Sequence, residues 1–107
     1  MNEAYYKRTY DIDAGEYNAI GVEQGWLCAI CQKPLRHGRV QGLRAELDHA
    51  HFIKNRRASI RGLLCGGRFA GCNRRLGRMD NIQWLENVLA YLKNPPAQRV
   101  LRKNDKT

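Results

Sequence analysis

AELDHAHFIKNRRASIRGLLCGGRFAGCNRRLG, residues 45–77, holds two histidines, an aspartate, two cysteines, two asparagines and seven lysines or arginines. Its order carries the fold. AELDHAHFI (45–53) reads as an extended segment, and SIRGLLC (59–65) as a second strand returning after the basic turn KNRRA (54–58). The pair predicts a hairpin over about residues 45–65, and AGCNRRLGRM (70–79) predicts a short helix after it. Two strands followed by a helix, within a chain that has further helical segments on either side, give an α+β class.

Upstream, YDIDAGEYNAIGVEQGW (10–26) has Asp13 followed three residues later by Glu16, the pattern of a capping box. Tyr17 and Ile20 then fall at core spacing and Gly25 supplies a stop, so a helix is expected over 14–24. WLCAICQKPL (26–35) places a Cys-x-x-Cys pair in a tight turn, and RHGRVQGLR (36–44) reads as an irregular or hairpin connection. His37 is read as an exposed loop residue. Downstream, NIQWLENVLAYLKN (81–94) predicts a longer helix with Ile82, Leu85, Leu89 and Leu92 on one face, ended by NPP (94–96). Trp84, Leu85, Val88, Leu89 and Leu92 read as core or as a modest dimer contact. The basic tail 98–107 is expected to be frayed.

At 107 residues the chain is expected to be a single domain spanning 1–107. Hydrophobic residues make up 43% of it, which leaves a small domain to gain stability from something besides apolar burial, such as a structural metal. No apolar run approaches the ~18 residues needed to cross a bilayer, and the first residues lack the apolar segment of a secretory signal. An intracellular chain with no membrane partner is expected. A net charge of +9 and a pI near 9.8 favour a polyanion, with nucleic acid as the default partner.

In a reducing compartment, four cysteines in two pairs point to metal before disulfides. Cys28 and Cys31 form one knuckle, and Cys65 and Cys72 can supply the other two ligands of a tetrahedral zinc site. Six residues, GGRFAG, separate the second pair where a zinc ribbon has two, and its three glycines make a compact excursion feasible. Four sulfur ligands leave zinc no open position, so the site would be structural. The alternative is four buried free thiols.

Asp48, His49, His51 and Asn73 are tools for cutting a phosphodiester. Such a reaction needs a base for water, a divalent cation against the phosphate and cationic groups along the backbone. Zinc on Cys65 and Cys72 would pin the helix bearing Asn73 beside the strands. In a regular strand, however, Asp48 and His49 face opposite sides, so one site can use both only where the backbone is irregular or the metal sits at the strand's edge. Lys54, Arg56, Arg57 and Arg61, with Arg68, Arg74, Arg75 and Arg78, read either as a solvated face or as phosphate contacts around that site. Arg61 is the candidate for the scissile phosphate.

GWLCAIC (25–31), LDHAH (47–51), IRGLLC (60–65) and CNRRLG (72–77), in this order, resemble the recombination endonuclease VII family of bacteriophages, a branch of the HNH nucleases with the ββα-metal fold. The resemblance covers about residues 10–95. It implies that His49 is the general base, that Asp48 and Asn73 hold Mg²⁺ or Mn²⁺, that the four cysteines hold zinc, and that His51 orients substrate or supports the site. It also implies a DNA endonuclease in the host cell cytoplasm, with junction resolution and a homodimer within the family's range. A weakly selective nicking enzyme and a non-catalytic zinc module that only binds DNA are the alternatives. If zinc is structural, a strong chelator should cost the domain much of its far-ultraviolet circular dichroism, with recovery on adding zinc. An unchanged spectrum after complete metal removal would argue for free thiols.

Overall fold

The computed structural model describes residues 3–67 and 71–103; Arg68 and the tail residues 104–107, both part of the sequence reading, lie outside the described residues. The expected hairpin is present. Strands β1 (Ala45–His49) and β2 (Ile60–Cys65) pair antiparallel, with Ala45 opposite Cys65, Leu47 opposite Leu63 and Asp48 opposite Gly62. The connecting turn contains one turn of helix, α3 (Arg56–Ser59), whose N-cap Asn55 accepts a hydrogen bond from the Ala58 N–H at 2.9 Å. Helix α4 (Cys72–Leu76) follows, completing a strand–strand–helix order.

The ladder is not regular. Register shifts between Asp48 and His49, because His49 pairs with Ile60 and leaves Arg61 with no residue opposite it. This extra residue is a β-bulge, which bends the strand and re-aims the side chains around it.

Two helices precede the hairpin. Helix α2 (Ala14–Glu23) starts as expected: Asp13 accepts from the Glu16 N–H at 2.8 Å, and the Glu16 carboxylate accepts from the Asp13 N–H at 3.2 Å. Gly25, at φ +63°, allows the turn that ends it. Helix α1 (Glu3–Tyr10) was not anticipated. It carries no buried residue and is held by contacts distant in sequence: Tyr6 packs on Tyr17 with ring centres 5.3 Å apart, and Arg56 donates to the Arg8 carbonyl at 2.6 Å. Short helices owe their stability to such packing more than to propensity.

The core gathers Ile12, Tyr17, Cys28, Leu35, Leu47, Leu63, Leu64, Cys65 and Cys72. Gln24 closes it on one side. Its amide donates to the carbonyls of Leu27 and Leu63, both at 2.9 Å, and its oxygen accepts from the Leu63 N–H at 2.8 Å. Together with the Ala29 N–H, which donates to the Leu63 carbonyl at 3.2 Å, this side chain pairs the outer edge of β2, where an unpaired backbone would otherwise be buried. His37 departs from its reading as an exposed loop residue: it is half-buried and lies flat on Trp26, with centroids 4.4 Å apart and planes within 4°.

The long helix forms as α5 (Ile82–Lys93), capped by Asn81, and the described part of the tail expected to fray, 98–103, belongs to α6 (Pro96–Lys103). A proline at the first helical position needs no N–H partner and has its φ already set, which explains the restart after NPP. The apolar face of α5 does not enter the core; none of its residues is buried, and Leu92 is 65% exposed. The gyration radius of 18.4 Å, against ~13 Å for a compact chain of this length, reflects these two projecting helices. Among the described residues, no helix is long and apolar enough to cross a membrane.

Replacing Gln24 with Ala should lower unfolding free energy by about 1–3 kcal/mol, because the buried Leu63 N–H loses its partner while the Leu63 carbonyl keeps only the Ala29 N–H. Chemical denaturation of the two proteins tests this, and equal midpoints would remove Gln24 from the account.

Candidate functional site

The four cysteines converge. Their sulfurs all lie within 4.8 Å of one another, and Cys31 and Cys65 are 3.8 Å apart. A tetrahedral ion with sulfur at ~2.3 Å requires sulfur–sulfur edges of about 3.8 Å, so the set fits one metal and suits structural zinc. The Cys65 N–H points at the Cys28 sulfur at 3.3 Å, and the Cys72 N–H at the Cys65 sulfur at 3.2 Å. Burial pushes the Cys28 thiol up, but N–H groups of Cys31, Cys65 and Ile30 outweigh it and hold the group at about 6. Cys72 is pushed up to about 12, by burial first and then by the neighbouring thiols. One thiolate therefore forms readily, and a bound cation would favour the thiolate form of the others.

The six-residue insert closes by a close approach at its ends. A Cβ on Gly71 would lie 2.7 Å from the Gly66 backbone carbon and 2.8 Å from the Cys65 carbonyl oxygen. Gly66 and Gly71 thus abut, and in space the pair presents Cys-Gly against Gly-Cys, much as a Cys-x-x-Cys knuckle would. This contact joins the end of β2 to the start of α4.

Beside it, Asp48, His49, His51 and Asn73 line one cavity of about 340 Å³, together with Tyr10, Leu47, Gly77 and Arg78. The bulge meets the condition that strand alternation imposed on Asp48 and His49. His49 lies between two rings, Tyr10 at 5.4 Å and His51 at 4.8 Å. Burial and its tyrosine neighbours push the Tyr10 hydroxyl up to about 12, so it stays a neutral phenol at ordinary pH. Asn73 donates from its amide nitrogen to Glu46 at 3.1 Å, which orients the amide and leaves its oxygen out of that bond.

Asp48 is only 6% exposed and is matched by Arg61: Nε donates to Oδ2 at 2.6 Å and Nη2 to Oδ1 at 3.0 Å. Arg61 Nη1 also donates to Asp80 at 3.1 Å, and the same Asp80 oxygen lies 3.9 Å from Nδ1 of His51. Asp48, Arg61 and Asp80 thereby form one charged chain, with the His51 ring near its end. Hydrogen bonds to Asp48 push the guanidinium further above its usual range, which keeps it charged.

The other basic candidates divide. Arg56 binds the end of α1, and Arg57 donates to the Asp11 carbonyl and pairs with Glu16; that guanidinium pulls the Glu16 carboxyl down to about 2. Both tie α3 to the N-terminal helices and neither lines the cavity. Lys54 is exposed in the turn, while Arg74 and Arg75 are exposed on α4, adjacent to Asn73 in sequence. Tyr10, Glu46 and Asp80 were not singled out in the sequence; Glu46 alone had a visible signal, sharing a strand face with Asp48 two residues on.

Comparison with known proteins gives the family. A family model described as recombination endonuclease VII matches residues 3–94. The Gene 59 protein of Mycobacterium phage D29 is 38% identical over 95 residues, covering 87% of this chain and 50% of that one. The Gene 59 protein of Mycobacterium phage L5 is 37% identical over 95 residues, covering 87% and 51%. The chain thus spans about half the length of the curated relatives it matches. No solved structure matches it.

The contact between Gly66 and Gly71 predicts the effect of one methyl. Gly71→Ala should reduce stability by about 1–3 kcal/mol and weaken metal retention, since backbone must move to admit the Cβ. Thermal unfolding and metal content per chain measure both, and wild-type values in the variant would remove the contact from the account.

Proposed function

The chain belongs to the recombination endonuclease VII family, and we propose that it is a metal-dependent DNA endonuclease of the HNH class. The observation that carries the reading is the shared cavity of Asp48, His49, His51 and Asn73 next to the four-cysteine cluster. Zinc on the cysteines would have a structural role, fixing α4 and its Asn73 against β1.

The Asp48 carboxylate and Asn73 amide oxygen are hard donors that suit Mg²⁺ or Mn²⁺. Bound there, the cation would neutralise charge on the scissile phosphate and the leaving oxygen. His49, steadied between Tyr10 and His51, takes a proton from the attacking water at a ring nitrogen. The water oxygen bonds to phosphorus, the bond to the 3′-oxygen breaks, and that oxygen takes a proton from solvent, leaving 5′-phosphate and 3′-hydroxyl ends. Arg61 keeps a second anchor on Asp80, so moving a hydrogen bond from Asp48 to a phosphate leaves it tethered in the site. Arg74, Arg75, Arg78 and Lys54 supply contacts to flanking phosphates.

Branched DNA is within reach of this reading. Symmetric cutting of a junction needs two active sites, and the exposed apolar face of α5 offers a surface on which two copies could pair. Action would be in the cytoplasm of the phage's host.

The test is cleavage of supercoiled plasmid and of a labelled four-way junction by zinc-loaded protein, with Mg²⁺ or Mn²⁺ and without either. His49→Ala should lose at least about 100-fold in rate while remaining folded and zinc-loaded. Full activity in that variant, or wild-type protein that binds DNA and never cuts it, would overturn the proposal; the second result would leave a zinc module that binds DNA.

A further inference from the structure

We propose that the groove along the outer edge of β1 is a subsite for an unpaired DNA strand, ending in an aromatic and cationic recess at Trp26, His37, Arg36 and Arg44. The inference deepens the nuclease reading and rests on it for the direction of the strand relative to the cut.

Three cavities adjoin along β1. The catalytic one, of about 340 Å³, shares Tyr10, Leu47 and Asn73 with a second of about 260 Å³. The second shares Tyr6, Arg44 and Ala45 with a third of about 310 Å³, which is the recess at Trp26 and His37. A strand advances ~3.3 Å per residue, so Ala45 to His49 covers about 13 Å. That length holds about four nucleotides at the 3.4 Å stacked rise, and fewer in an extended strand.

The lining chemistry selects the ligand. Tyr6, Tyr10, Trp26 and His37 set rings along the groove, while Arg36 and Arg44 bring charge to its far end. Arg44 makes a long ion pair with Glu46 at 3.5 Å, and its side chain is 71% exposed, so it is open to a phosphate. Rings serve bases whose faces are uncovered, which an unpaired strand provides and a stacked duplex does not. A duplex would need the arginines alone.

His37 is built as a platform. Its ring lies flat on Trp26, and Nδ1 is 3.1 Å from the Leu35 carbonyl oxygen, so the imidazole is fixed before any ligand arrives. The Trp26 indole is itself held against Gly21, where a Cβ would approach it to 2.3 Å. A fixed aromatic surface loses little freedom on binding, which favours stacking.

The experiment uses zinc-loaded His49→Ala protein in buffer without magnesium or manganese, so that binding is read without cleavage. Fluorescence anisotropy follows a labelled oligothymidylate of about eight nucleotides and, separately, a fully paired duplex. Adding Arg36→Ala and Arg44→Ala should weaken the oligothymidylate about tenfold and flatten its logarithmic salt dependence by about 1.4, two contacts at ~0.7 each. Adding His37→Ala should weaken it about fivefold or more, and His37→Phe should restore it, because the ring is what stacks. Duplex affinity should change much less in both cases.

Equal weakening of single strand and duplex would overturn the proposal, leaving the arginines as general phosphate contacts. Unchanged single-strand affinity would overturn it as well. Failure of the nuclease reading would show separately, as absence of cutting by wild-type protein with metal, whatever the oligothymidylate does.

Discussion

The sulfurs of Cys28, Cys31, Cys65 and Cys72 lie within 4.8 Å of one another, and each sits where one element gives way to another. Cys28 and Cys31 occupy the turn after α2, Cys65 ends β2 and Cys72 begins α4. Bringing the four together therefore sets the path of the chain at three points. In a chain whose described core is about nine side chains, this constraint replaces much of the apolar burial that a larger domain would use. The abutting Gly66 and Gly71 backbones are what let a six-residue insert meet the same requirement as a two-residue one.

The polar side of the hairpin depends on a second constraint. Asp48 is nearly buried, and a buried carboxylate is costly unless its oxygens are paired. Arg61 meets that need, and it can do so because the bulge leaves it with no residue opposite in the ladder. Asp80 then balances the guanidinium from the segment leading into α5 and stands near His51. The irregularity that brings Asp48 and His49 to one cavity is thus the same one that frees the arginine between them.

Much of this was legible in residue order. Asp13 and Glu16 gave the start of α2, two extended segments around a basic turn gave the hairpin, and the cysteine pairs gave the cluster, because each pattern reports local geometry. The bulge was legible only as a condition: two adjacent strand residues were needed at one site. What could not be read depended on contacts between distant segments. Helix α1 has Tyr6 and Tyr10 at helical spacing, and its place comes from Tyr17, His49 and Arg56. His37 seemed a loop residue because nothing local announces Trp26 as its partner across ten intervening residues.

The basic charge of +9 also has more than one use. Charge runs in a sequence do not say which cations face a ligand, since a guanidinium has five donors and can as easily tie helices together. Arg56 and Arg57 bind backbone carbonyls and Glu16, so their positive charge helps hold α3 against α1 and α2. Arg61 balances two carboxylates. Arg78, Arg44 and Arg36 line the cavities along β1, while Lys54, Arg74 and Arg75 are exposed. Electrostatic attraction to a polyanion follows from the total, because it acts over a screening length of about 8–10 Å. If an unpaired strand binds as proposed, its place follows from side chains that combine charge with a recess and with rings. A small domain can therefore spend arginines on its own architecture and still keep others exposed beside a recess.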